Sequence, residues 1–114
     1  MAKVVRIFEF TLNSDVQAED FEQFVTEELT KTPFASGIQI RFLKCDRDSQ
    51  SEFSETYVNE LECDSVEVRD RYFPNGFEGS EEFNQWWAEH GVAWSKFYTL
   101  VNAVRYRDFI EYGK

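Results

Sequence analysis

The run VVRIFEFTL (4–12) carries apolar side chains on both of its alternating faces, Val5 and Ile7 on one and Val4, Phe8, Phe10 and Leu12 on the other. β-Branched and aromatic residues at a period of two make it a strand. A strand that is apolar on both sides has to be covered on both sides. The segment therefore belongs inside a layered sheet, and that requirement constrains the fold more than any other feature of the chain.

The remaining elements follow from changes of period. NSDVQAEDFEQFVTEELTKTPF predicts a helix, with Ser14 and Gln17 at capping-box spacing and Phe21, Phe24, Val25 and Leu29 on one stripe. Pro33 and Gly37 close it. IQIRFLKC (38–45) and TYVNELEC (56–63) alternate as strands and form a hairpin about the polar loop 46–55. A second helix starts at Asp64, where DSVE offers a cap, and stops at PNG (74–76). EEFNQWWAEHGVAWSKF (81–97) is a further helical segment, with Ser80 as its cap and Glu81 and Glu82 complementing the dipole. FYTLVNAVRYRDFI (97–110) reads as the last strand, Leu100, Asn102 and Val104 alternating against Val101 and Ala103.

The order β-α-β-β-α(α)-β over 1–114 predicts one α+β domain, a ferredoxin-like antiparallel sheet with its helices on one face. The other face keeps apolar side chains that nothing else in the chain can cover. A second copy of the sheet can, so a homodimer joined face to face is expected.

Composition narrows the function. Aromatic residues make up 18% of the 114, with twelve Phe, enough for a packed core. A net charge of −10 and no basic stripe argue against nucleic acid as a partner. No apolar run approaches membrane length and no signal peptide opens the chain, so no membrane partner and a cytoplasmic location are expected. Cys45 and Cys63 would lie at opposite ends of the hairpin, too far apart for a disulfide, and are expected as buried thiols. With one histidine and no close cysteine pair, neither a metal nor a cofactor is expected.

TYVNELECDSVEVRDRYF (56–73), together with the element order over roughly residues 4 to 109, resembles the dimeric α+β barrel superfamily. That group includes antibiotic-biosynthesis monooxygenases and the stress-responsive A/B-barrel proteins with their polyketide-cyclase relatives. FPNGFEGSEEFNQWW looks like an insertion before the histidine region. The resemblance implies a dimer closing into an α+β barrel, a tyrosine lining the pocket at Tyr72, and a functional histidine near His90. Some members bind or degrade heme, although an acidic chain with few arginines offers little to the propionates.

The candidate site gathers around His90. On a helical wheel Phe83, Trp87, His90, Trp94 and Phe97 fall within about 80° of one another, which turns His90 inward. If Gly91 stops the helix, His90 sits instead in its last turn. It is either a packed histidine satisfied by a backbone carbonyl or an amide, or the general base of a pocket between helices and sheet. Trp87 and Trp94 divide between core and pocket wall, whereas Trp86 is assigned to the core. Asn59 and Asn102, expected mid-strand, must pair with each other, with water or with a ligand. Arg69, Arg71, Arg105 and Arg107 are read as surface partners for the excess acids.

No nucleophile elbow, phosphate loop or zinc motif is present. The expected function is a small cofactor-independent enzyme or ligand-binding protein acting on an apolar, aromatic or polyketide-like molecule, cyclase- or monooxygenase-like. The alternatives are a non-catalytic dimeric module that binds a protein partner through its acidic surface, and a heme-binding protein.

Overall fold

The structure, a computed structural model, describes residues 2–31, 34–50, 56–76 and 78–113. It is an α+β fold with a four-stranded antiparallel sheet and four helices. The elements are β1 (Val4–Leu12), α1 (Ala18–Phe24, continued by a π-helical turn Val25–Leu29), β2 (Ile38–Lys44), β3 (Tyr57–Cys63), α2 (Val66–Tyr72), α3 (Glu81–His90), α4 (Val92–Leu100) and β4 (Val101–Ile110). Among the described residues no helix is long and apolar enough to cross a membrane.

The strands lie in the order β2-β3-β1-β4, which puts the doubly apolar β1 inside the sheet between β3 and β4. The β2–β3 hairpin has the symmetric register expected, Ile38 opposite Cys63 and Lys44 opposite Tyr57. Residues 51–55 of its loop, and Pro33 after α1, lie outside the described residues. Cys63 is buried, but Cys45 is only half-buried, because β2 ends at Lys44 and Cys45 belongs to the loop.

Two helix starts differ from expectation. The helix after β1 begins at Ala18 rather than at Ser14: residues 13–16 are spent on a turn closed by Val16 N–H to Asn13 O, and Gln17 caps without a side-chain bond. For α2 the cap is Ser65, whose hydroxyl accepts from Val68 N–H at 3.2 Å. Ser80 caps α3 as expected, accepting from Phe83 N–H at 3.2 Å. The π turn in 25–29 widens around Thr26, whose hydroxyl bonds back to the Glu22 and Gln23 carbonyls, and it seats Leu29 fully inside.

The last strand is four residues shorter than expected, in its helical neighbour's favour. Residues 97–100, expected as strand, are the last turn of α4, because Trp94 and Phe97, three apart, reach the core only from a helix. Gly91 divides α3 from α4. Its N–H bonds Trp87 O at 2.7 Å, and a Cβ there would run into that carbonyl and lie 2.8 Å from the Trp87 ring. Only glycine lets the chain break so tightly.

All four helices cover the face of the sheet that carries Val4, Phe8, Phe10, Tyr57, Leu61 and Cys63. The core forms two clusters there, one built on Phe10, Phe21 and Phe97, the other on Val4, Cys63 and Phe83. A bulge at Glu9/Phe10 leaves Val104 unopposed: Glu9 faces Arg105 but Phe10 faces Ala103. The uncovered face is mixed rather than apolar. Val5, Ile7 and Val58 are half-buried there, and cross-strand ion pairs surround them, Arg41 with Glu60, Lys3 with Glu62, Arg105 and Arg107 with Glu9.

Candidate functional site

The two core clusters do not meet flush. Between them, under α3 and α4, lies a cavity of about 430 Å³. Its wall alternates between the clusters: Phe8 and Trp94 come from one, Leu61, Phe73 and Phe83 from the other. Trp87, one turn before the Gly91 break, and Tyr98, two turns after it, complete the aromatic lining with ring centroids 6.1 Å apart.

Polar groups enter this wall from the sheet. Asn59 is 3% exposed and its amide N–H donates to Arg41 O at 3.3 Å, which turns its side-chain oxygen into the group left to accept. Arg6 sits between Val4 and Phe8 on the same face and is equally buried. Its Nε and Nη2 clasp Asp108 at 2.7 and 3.1 Å, and Nη1 donates to Gly76 O at 2.9 Å. The guanidinium also lies 4.5 Å from the Tyr106 ring centroid and 4.8 Å from that of Phe73. Gly76, at φ +66°, brings the loop this close; a Cβ would stand 2.8 Å from the Tyr106 hydroxyl.

Asp108 answers two cations, since Arg69 reaches it at 3.0 Å. Burial alone would raise its carboxyl, but the Arg6 and Arg69 guanidiniums outweigh it and hold the group below the usual carboxylate range. Burial pushes the neighbouring Cys63 thiol up to about 11, which makes it an inert core group. Tyr98 keeps 46% of its surface accessible while lining the cavity, yet desolvation by the rings around it raises its phenol, with Arg6 pulling the other way.

Of the expected site residues, Asn59, Trp87 and Trp94 come together on this wall. The others do not. His90 is not turned inward: it ends α3 with its side chain 42% exposed, beside Trp86 and 3.7 Å from Glu89. Phe83, Trp87 and His90 all precede Gly91 and keep a common phase, so what takes His90 out of the core is its place as the last residue of α3, where the chain breaks at Gly91. Asn102 cannot pair with Asn59, because it lies opposite Thr11 on the uncovered face and is exposed. Tyr72 is buried in the second core cluster against Phe83, away from the cavity.

Sequence reasoning missed Arg6 and Asp108. The alternation that put Val4 and Phe8 on one face also puts Arg6 there, a buried arginine in an aromatic strand that demands a partner. Among the described residues no three His, Cys, Asp or Glu side chains gather as metal ligands would. Compared with known proteins, the chain matches no family model, no curated protein and no solved structure.

Proposed function

We propose that the protein binds a planar, largely apolar aromatic molecule in the cavity between the sheet and α3–α4. The observation that carries this is the cavity itself: about 430 Å³ of aromatic-walled space with a few polar groups, within the size range and chemistry of small-molecule sites. A small fused-ring compound fits that volume, which keeps the polyketide-like class of ligand. Arg6 and Tyr98 are the ionisable side chains on its described wall, and Arg6 is committed to Asp108. With His90 outside, the wall favours binding over acid–base catalysis. Titration with a panel of naphthalene derivatives should raise the melting temperature by several degrees at saturation. No shift with any member, and no change in the tryptophan fluorescence, would remove the reading.

We infer further that the chain is ferredoxin-like and pairs with a second copy through its uncovered sheet face. The strand order β2-β3-β1-β4, with every helix on one face, supports this and the resemblance to dimeric α+β barrels. So does the charge of that face. Lys3, Arg41, Arg105 and Arg107 there meet Glu9, Glu60 and Glu62, so it is nearly neutral on a chain of net charge −10. Two copies can approach there without the repulsion the rest of the surface imposes.

A further inference from the structure

We propose that the cavity opens beside β4 and takes an uncharged aromatic molecule ring first, with an oxygen of that molecule held at the mouth by the Tyr98 hydroxyl. This rests on the cavity reading above. It adds where the ligand enters, which way round it lies and which residue selects it.

The wall sorts by exposure. Phe8, Asn59, Leu61, Phe73, Phe83 and Trp94 line the cavity while buried, so they form its interior. Asn84, Tyr98 and Ala103 line it while exposed, so they stand where it meets solvent. These three come from α3, α4 and β4, and β4 is an edge strand with no further strand beyond it. The opening therefore lies between the helix pair and the edge of the sheet. Ala103 sits opposite Phe10, on the helix-covered side, and a methyl group there leaves open a gap that a larger side chain would fill.

A ligand oxygen needs a donor, and the interior has none to spare. Arg6 is committed to Asp108 and the Gly76 carbonyl, and the Asn59 nitrogen to Arg41 O. The Trp94 N–H is closed off from solvent and ligand alike. At the mouth, the Tyr98 ring stands 6.1 Å from Phe8 on the sheet and 6.1 Å from Trp87 on α3, centroid to centroid, so it reaches from α4 across the entrance. Among the described residues no hydrogen bond engages its hydroxyl. The surrounding rings desolvate the phenol and raise it, so it meets a ligand as an O–H donor at neutral pH. A hydrogen bond made in that setting counts for more than one to a solvated amide such as Asn84.

Charge excludes an anion. With Arg6 held by Asp108, the described wall offers no uncommitted cation, and the chain around it carries −10. A carbonyl oxygen on a flat ring system satisfies the donor without bringing a charge.

Calorimetric titration of the intact protein with 2-acetylnaphthalene, 2-ethylnaphthalene and 2-naphthoate tests this. Wild type should bind the ketone about tenfold more tightly than the hydrocarbon, one hydrogen bond's worth of discrimination, and the carboxylate more weakly than the ketone. Tyr98→Phe should bring the ketone and hydrocarbon affinities together. Ala103→Trp, a bulky side chain at an exposed position, should weaken both by about tenfold or more with the melting temperature unchanged. Should that variant fail to fold, Asn84→Trp on the opposite rim must give the same loss. A ketone preference that is absent in wild type or survives Tyr98→Phe, undiminished binding in the folded rim variant, or tighter binding of 2-naphthoate overturns this proposal and leaves the cavity reading standing. Binding of none of the three to wild type overturns both.

Discussion

At the scale of single residues, Arg6 and Asp108 dominate. A guanidinium buried to 3% exposure is tolerable only because a carboxylate clasps it through two hydrogen bonds. Asp108→Asn leaves that cation half-answered and should cost about 3–5 kcal/mol in urea unfolding, the usual penalty for breaking a buried pair from one side. The carboxyl is depressed in the folded state, so its contribution is complete above about pH 4, the unfolded value, and is lost as pH falls through the lower folded one. Urea midpoints followed downward from pH 6 should fall along that course in wild type and more shallowly in Asp108→Asn. His90→Ala is the contrast. Its side chain is 42% exposed at a helix end, so the change should stay within about 0.5 kcal/mol and leave naphthalene binding intact. Loss of binding in that variant would restore the histidine to the site. At this scale the sequence was half legible. Asn59, Trp87 and Trp94 were found as polar or flat groups facing inward, whereas Arg6 was passed over because charge is read as exposure.

At the scale of elements, what could be read depended on whether a signal was local. Ser80 with Glu81 and Glu82 marks its helix start unmistakably, and the structure uses it. Ser14 with Gln17 has the same spacing but is consumed by a turn, because Phe21 and Phe24 must reach the core and the chain needs slack to get there. Residues 97–100 carry strand propensity and are helical, since burying Phe97 and Trp94 together outweighs it. Gly91 governs the neighbouring break. Replacing it with alanine forces a methyl against the Trp87 carbonyl and ring and should destabilise by about 1–3 kcal/mol. Thermal melts of Gly91→Ala measure this; an unchanged melting temperature would mean that the α3–α4 junction relaxes freely. Because Trp87 and Tyr98 flank the junction on the cavity wall, the variant should also weaken binding of 2-ethylnaphthalene.

At the scale of the whole molecule, the doubly apolar β1 accounts for most of the fold. β1 lies inside the sheet with the helices on one side, and among the described residues nothing covers the other side. That side keeps the apolar residues the alternation predicts, Leu43 and Phe109 beside Val5, Ile7 and Val58; what the sequence could not show is the ion partner across the ladder of each charge among them. Light scattering at micromolar concentration should give twice the chain mass, and Ile7→Asp, a charge set among Val5 and Val58, should give the chain mass without unfolding it. A monomeric wild type would end the pairing proposal. The bulge at Val104 has a consequence that reaches further than its one residue. Before it, Val101 and Ala103 turn toward the helices; after it, Tyr106 and Asp108 do, and Arg105 and Arg107 turn away. Were the ladder to absorb Val104 as an ordinary residue, the downstream half of β4 would exchange sides and present arginines where Asp108 meets Arg6; because the bulge sets it aside, Asp108 keeps the side that plain alternation from Ala103 would give without it. Val104 is thus a residue that β4 can lose without disturbing the Arg6–Asp108 pair, whereas a second residue gained or lost between Ala103 and Asp108 would break it, a sensitivity to length rather than to identity.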